Sequence, residues 1–235
     1  MRLLSYNIHK GIGGSDRLYR LERIVRVIEQ HKPDLICLQE VDRNVKRSRL
    51  DDQPALLAKA LNAADSSFQM NVHLKLGGYG NLVLSRWPLL VKHHVSLRMA
   101  TKKPRGAQMV VVDTPQGKLH VVNWHLGLSE VERVWQARHL FAHSLFKENE
   151  ALPTIVAGDS NDWRNMLHRT IFAGHGFEHF SAPPAQHRSF PAYFPMGALD
   201  KAFGRALKLE RSRVERSKPA RWASDHLPLI VDFTI

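Results

Sequence analysis

Asn7, Glu40, His125, Asp159, Asn161, Asp225 and His226 each stand at or just past a short apolar run, and no cysteine cluster accompanies them. Strand ends are where a rigid scaffold displays reactive groups. Carboxylates and carboxamides are hard oxygen ligands, which suit Mg²⁺ or Mn²⁺ better than a structural zinc. The two histidines keep zinc as a lesser option. Such a set fits metal-assisted hydrolysis of a phosphoester. That bond resists water because its negative charge repels a nucleophile and the alkoxide leaves poorly. A bound metal offsets the charge by several kcal/mol in the transition state, and a placed acid or base adds a factor of about 10²–10⁴.

Other chemistries lack their signatures. The chain has no Walker-type phosphate loop, no dinucleotide fingerprint and no Gly-x-Ser-x-Gly elbow. That excludes the main support for a kinase, a dehydrogenase or a serine hydrolase.

The elements that must hold these residues can be read from periodicity. Residues 3–8, 34–38, 68–74, 81–85, 91–97, 107–112, 118–124, 153–157 and 227–235 read as strands, several of them bounded by Gly-Gly, Trp-Pro or Lys-Lys-Pro breaks. Leu18, Leu21, Ile24, Val25 and Ile28 recur at helical spacing with Asp16 as a cap. Residues 54–63 predict a second helix and 129–148 one long helix, while 177–198 read as loop. Mixed hairpin and crossover spacings predict α/β with mixed sheets in a single domain, 1–235. One echo recurs: a strand ending in Asn-x-His (Asn7, His9; Asn123, His125), then a helix, then a buried strand ending in an acid (Glu40; Asp159). Two similar halves would bring four strand ends to one rim.

Bulk properties fit an enzyme of anionic substrates. Among 235 residues, 43% are hydrophobic, enough for a sizeable core. Lys and Arg number 34 against 22 Asp and Glu, a net charge of +12. That field attracts nucleic acid, anionic lipid or phosphorylated small molecules. The lone Cys37 lies in an apolar run and reads as a buried hydrophobe. No run approaches a transmembrane span and no signal-peptide core precedes Asn7, so a cytoplasmic location is expected.

Seven motifs occur in order: Ser5-Tyr6-Asn7-Ile8-His9, Leu38-Gln39-Glu40-Val41, the Gly80-Asn81 to Trp87-Pro88 segment, Asn123-Trp124-His125-Leu126, Gly158-Asp159-Ser160-Asn161-Asp162, Leu199-Asp200-Lys201-Ala202-Phe203 and Ser224-Asp225-His226-Leu227-Pro228. This series resembles the endonuclease/exonuclease/phosphatase superfamily over almost the whole chain. The resemblance implies a four-layer α/β sandwich, two packed mixed β-sheets flanked by helices, with the site at one edge. It implies Mg²⁺ or Mn²⁺ on Glu40 with Asn7, and Asp225 nearby. It implies that Asp159 and Asn161 align water and phosphate, that His226 acts on the scissile phosphate with Asp200 orienting it, and that His125 stabilises charge. Arg105, from its place ahead of the strand at 107–112, is a candidate phosphate contact, and Asn81, within the third motif, a substrate-binding candidate. His9 stands where abasic-site nucleases carry an acid, and Lys201 is more polar than the family's usual choice.

Two segments could select the substrate. The run from Arg205 to Arg221, including Arg211, Arg213 and Arg216, leads into Asp225-His226 and could be a phosphate track. The segment from Phe190 to Pro195 could stack bases or enter a lipid interface, and Trp163 is a candidate wall of the pocket. The expected activity is a phosphodiesterase acting on DNA or RNA. Alternatives are a sphingomyelinase-like enzyme of phospholipids or small phosphoesters and, remotely, an inactive binding module.

Overall fold

The computed structural model describes residues 1–235. Its strands are β1 (Arg2–Asn7), β2 (Leu35–Arg43), β3 (Asp65–His73), β4 (Gly78–Ser85), β5 (Leu89–Ser96), β6 (Gly106–Thr114), β7 (Gly117–His125), β8 (Thr154–Asp159), β9 (Glu178–His179), β10 (Asp200–Arg205), β11 (Lys208–Val214) and β12 (Leu229–Thr234). The α-helices are α1 (Leu21–Glu29), α2 (Gln53–Ala60), α3 (Glu130–Ala142), α4 (Ser144–Lys147) and α5 (Lys218–Ala223).

The strands form two six-stranded sheets, ordered β11-β12-β1-β2-β4-β3 and β5-β6-β7-β8-β10-β9. The orders correspond position by position. In each sheet one parallel pair, β1 with β2 or β7 with β8, is flanked by antiparallel neighbours. The repeat of Asn-x-His and acid is therefore a repeat of topology. It places the ends of β1 and β7 beside Gln39 and Asp159 respectively.

Alternation along the strands builds the layers. Val121, Ile155 and Ala157 join the larger core, which also contains Leu4, Leu38 and Leu82 of the other sheet. Their neighbours Val122 and Val156 face the opposite way, against Leu140 and Phe141 of α3. The four-layer sandwich expected from the resemblance is the observed fold.

Several boundaries differ from the sequence reading. Helix α1 begins at Leu21, and Asp16 does not cap it; Asp16 instead accepts from the Leu18 amide and pairs with Arg23 at 2.7 Å. The long helix expected over 129–148 breaks at His143, whose backbone is extended (ψ 135°) and whose ring accepts from the Leu145 amide. Strands β10 and β11 escaped periodicity. β10 opens with the polar but buried Asp200 and Lys201, and β11 is an exposed, charge-rich edge.

Candidate active site

Asn7, His125 and Asp159 are the last residues of β1, β7 and β8. Glu40 is placed differently from the sequence expectation: β2 runs past it to Arg43. Between Leu38 and Val41 the register with β4 slips by one residue, and Glu40 adopts φ +57°. A bulge of this kind re-aims a side chain. His9, Lys10 and Asn161 also have positive φ. Each left-handed non-glycine residue costs about 1–2 kcal/mol, and such strain concentrates where surrounding contacts over-determine a functional geometry.

One cavity of about 460 Å³ is lined by Asn7, His9, Lys10, Glu40, Lys102, Lys103, Arg105, His125, Asp159, Asn161, Asp225 and His226, with Leu128 its single hydrophobic residue. The two sheets are tied across it. Asn7 Nδ2 donates to Asp159 Oδ2 at 3.0 Å, and the same oxygen lies 3.3 Å from His125 Nε2 and 3.7 Å from His226 Nε2. Asn161 donates its amide to Asp159 Oδ1 and its Nδ2 to the Leu126 carbonyl. Asp200 is fully buried behind His226 and outside the cavity lining; its Oδ2 meets His226 Nδ1 at 2.9 Å.

The electrostatics follow from these neighbours. Burial alone would raise the Glu40 carboxyl, but Lys10, His125 and His9 outweigh it and bring it down to about 2. Lys10 forms an ion pair with Glu40. Burial would lower the His226 imidazolium; Asp200 and Asp159 overcome this and push it up to about 10. Burial raises the Asp159 carboxyl, His226 opposes that, and Asp200 adds to it. His125 is held well below the ordinary imidazole range by burial and then by Arg105, whose Nη1 is 2.9 Å from its Nε2. Arg105 is itself buried, and its Nε has no protein partner. Its guanidinium lines the cavity and is suited to an anion.

The remaining candidates lie outside the lining of the main cavity. Asn81 is buried and donates to the carbonyls of Gly106 and Asn123, which ties the two sheets together; it lines a small adjoining pocket with Glu40, Arg105 and His125. Trp163 is half exposed and stands outside the lining, edge-on to Phe190, whose ring is 4.7 Å from His226. Arg211 pairs in register with Asp232, which pairs with Arg2 at the far end of β1 from Asn7. Arg213 bonds Asp232 at 3.5 Å. Neither borders the cavity. The phosphate track proposed for them fails because an antiparallel edge strand carries them away from the rim. Arg216 donates to the carbonyls of Gln186 and Arg188 and so braces a loop.

Three cationic residues of the cavity were not among the sequence candidates. Lys10 follows the first motif by one residue, and that adjacency was its signal. Lys102 and Lys103 were read only as part of a break between strands. Lys201 explains its own departure from pattern: its buried Nζ donates to Asn165 Oδ1 and the Ala198 carbonyl, and burial lowers it to about 8 against the pull of Asp162 and Asp200.

A sequence profile of the Endonuclease/Exonuclease/phosphatase family matches residues 4–226. The chain belongs to this family. It is 28% identical over 239 residues to YbhP of Escherichia coli (strain K12), spanning 97% of this chain and 94% of that protein. Among solved structures of the same fold, an endonuclease/exonuclease/phosphatase from Beutenbergia cavernae superposes with a TM-score of 0.85 at 22% identity, covering 100% of this chain and 71% of that one. The mannosyl-6-phosphatase Bt3783 of Bacteroides thetaiotaomicron gives 0.79 at 17% identity, covering 100% of both. These two solved structures share the two-sheet fold.

Proposed function

We propose that this family member is a divalent-metal-dependent phosphodiester hydrolase. The observation that carries the reading is the convergence of Glu40, Arg105, His125, Asp159 and His226 on one cavity, with Asp200 fixing His226 from behind. Glu40, Asp225 and Asn7 would hold Mg²⁺ or Mn²⁺. The residues suit such an ion: the donors are oxygens, Glu40 is anionic, and the Lys10 ammonium already rests on it, so the place attracts a cation. A metal bound there would neutralise charge on the phosphate as the transition state forms.

The protein's own groups supply the rest. Asp159, bridged by Asn7 and Asn161, orients water and takes its proton as the water oxygen bonds phosphorus. The ester P–O bond opposite breaks, and the His226 imidazolium gives its Nε2 proton to the departing oxygen. Asp200 holds the ring by Nδ1 so that Nε2 faces the reacting atoms. The Arg105 guanidinium and the rim lysines Lys102 and Lys103 bind the anionic oxygens.

The test is a substrate panel: a bis-aryl phosphodiester, an aryl monoester, single- and double-stranded oligonucleotides and phospholipid vesicles, each with Mg²⁺, Mn²⁺ or chelator. Metal-dependent release from at least one diester is the expected result. Turnover of the monoester alone would overturn the diesterase reading, and no turnover of any ester would overturn hydrolysis altogether.

A further inference from the structure

The segment from Phe190 to Gly197 folds back on itself as a tight hairpin, closed by bonds between the Phe190 and Gly197 backbones. Its base is fixed to the site: the Ala192 amide donates to the Asp225 carbonyl at 2.7 Å, and Phe190 packs on His226. Trp163 lies across Gly197, where any Cβ would come within 2.8 Å of the indole. The tip turns outward. Tyr193 and Phe194 are each 67% exposed and Met196 is 56% exposed. With Trp163 these make an apolar projection directly beside the catalytic histidine. An exposed apolar group of this size next to a site marks an interaction surface.

Cations border it. Arg188, two residues before the hairpin, is exposed; Arg216 donates to its carbonyl, and Lys218, two residues further on, is exposed too. A second apolar, basic projection stands on the other side of Glu40. There the turn between β3 and β4 exposes Leu74 and Leu76 beside Lys46 and Lys75. Strand β2 continues three residues beyond Glu40 to reach that turn, so the projection rises about 10 Å past the rim.

We infer that this face docks on an anionic phospholipid bilayer, the hairpin tip entering the interface and the cations meeting lipid charge. The inference goes beyond the hydrolase reading, since docking needs neither metal nor turnover. The aliphatic members decide between a membrane and a nucleic acid. Met196, Leu74 and Leu76 offer no plane for a base, whereas aromatic, aliphatic and basic side chains together suit the headgroup boundary. The molecule's net charge of +12 favours the same surface.

The experiment is co-sedimentation of the full chain, in chelator, with phosphatidylglycerol or phosphatidylcholine vesicles. A triple variant carries Tyr193→Ser, Phe194→Ser and Met196→Ser; a charge variant carries Arg188→Ser and Lys218→Ser. We expect binding to the anionic vesicles only. The triple variant should bind at least about tenfold more weakly, and each lost cation should cost about fivefold. Turnover of a soluble bis-aryl diester, measured separately with metal, should not change in the triple variant. Because its substituted side chains are exposed, a folding failure is not expected, and circular dichroism checks it. No binding of wild type to anionic vesicles, or equal binding by the triple variant, would overturn the proposal. So would oligonucleotide binding that the triple variant loses in place of vesicle binding. Loss of soluble turnover in wild type would count against the hydrolase reading alone.

Discussion

Nδ1 of His226 lies 2.9 Å from Oδ2 of Asp200, and the Ser189 hydroxyl donates to that same oxygen at 2.5 Å. Strand β10 supplies the acid and the loop before β12 supplies the ring, so two chain segments from different sheets fix one ring orientation.

That pair sets an alkaline limit. His226 in the folded protein titrates near 10, against about 6.5 for a free imidazole. Stability from the pair is therefore complete below about 6.5 and is lost as pH rises through about 10. Asp200→Asn removes the anion that most opposes burial. We expect the alkaline limb of kcat/KM to move down from about 10 toward neutrality, with a fall of about 10²–10⁴ at slightly alkaline pH. A pH–rate profile with an unmoved limb contradicts the assignment.

Much of this geometry was readable from residue order, and some was not. Asn7, His125 and Asp159 end strands whose apolar runs are plain, so their placement followed from pattern. Asp200 was found only through the motif around it, because its strand begins with buried polar residues that mimic a loop. Glu40 was found, but not its bulge: a register slip leaves no mark on hydrophobic alternation. The basic run misled for a related reason. Closeness in sequence to Asp225 suggested closeness in space, yet edge strand β11 sets Arg211 opposite Asp232 at the far end and Arg213 opposite Ile230, and neither borders the cavity.

Those two arginines give the next test. Arg211→Ser with Arg213→Ser should leave KM and the salt dependence of turnover unchanged on any charged substrate. Only a small stability loss is expected, about 0–1 kcal/mol, since Arg213 shares Asp232 with Arg2 near the surface. Denaturant melts and a salt series check this, and a flattened salt slope would restore the track.

On the proposed reading, Lys10 would compete with a metal for Glu40. Replacing it with Met frees the carboxylate from its ammonium partner. Mn²⁺ should then bind about tenfold or more tightly, since a charge-assisted contact is worth about 1.5–3 kcal/mol. Electron paramagnetic resonance of free Mn²⁺ reads this without turnover. Weaker binding would show that Lys10 supports the metal position.

Arg105→Met removes a donor and a cation at once. Loss of one such preorganised donor typically costs about 10²–10³ in kcat. Burial still depresses His125, but the second cause is gone, so its imidazole should titrate at higher pH than in wild type. Proton NMR of the ring resolves the shift, and an unchanged His125 would place Arg105 outside its field.

Metal-dependent hydrolysis at Glu40 is tested most directly by the Mg²⁺ dependence of bis-aryl phosphodiester turnover in wild type and Glu40→Gln. Wild type should be silent in chelator and recover fully on adding Mg²⁺. Glu40→Gln, nearly the same shape without the charge, should need far more Mg²⁺ and reach a much lower plateau with its fold intact. Turnover that survives chelation, or a Glu40→Gln curve that overlays wild type at limiting Mg²⁺, would contradict a metal held by Glu40.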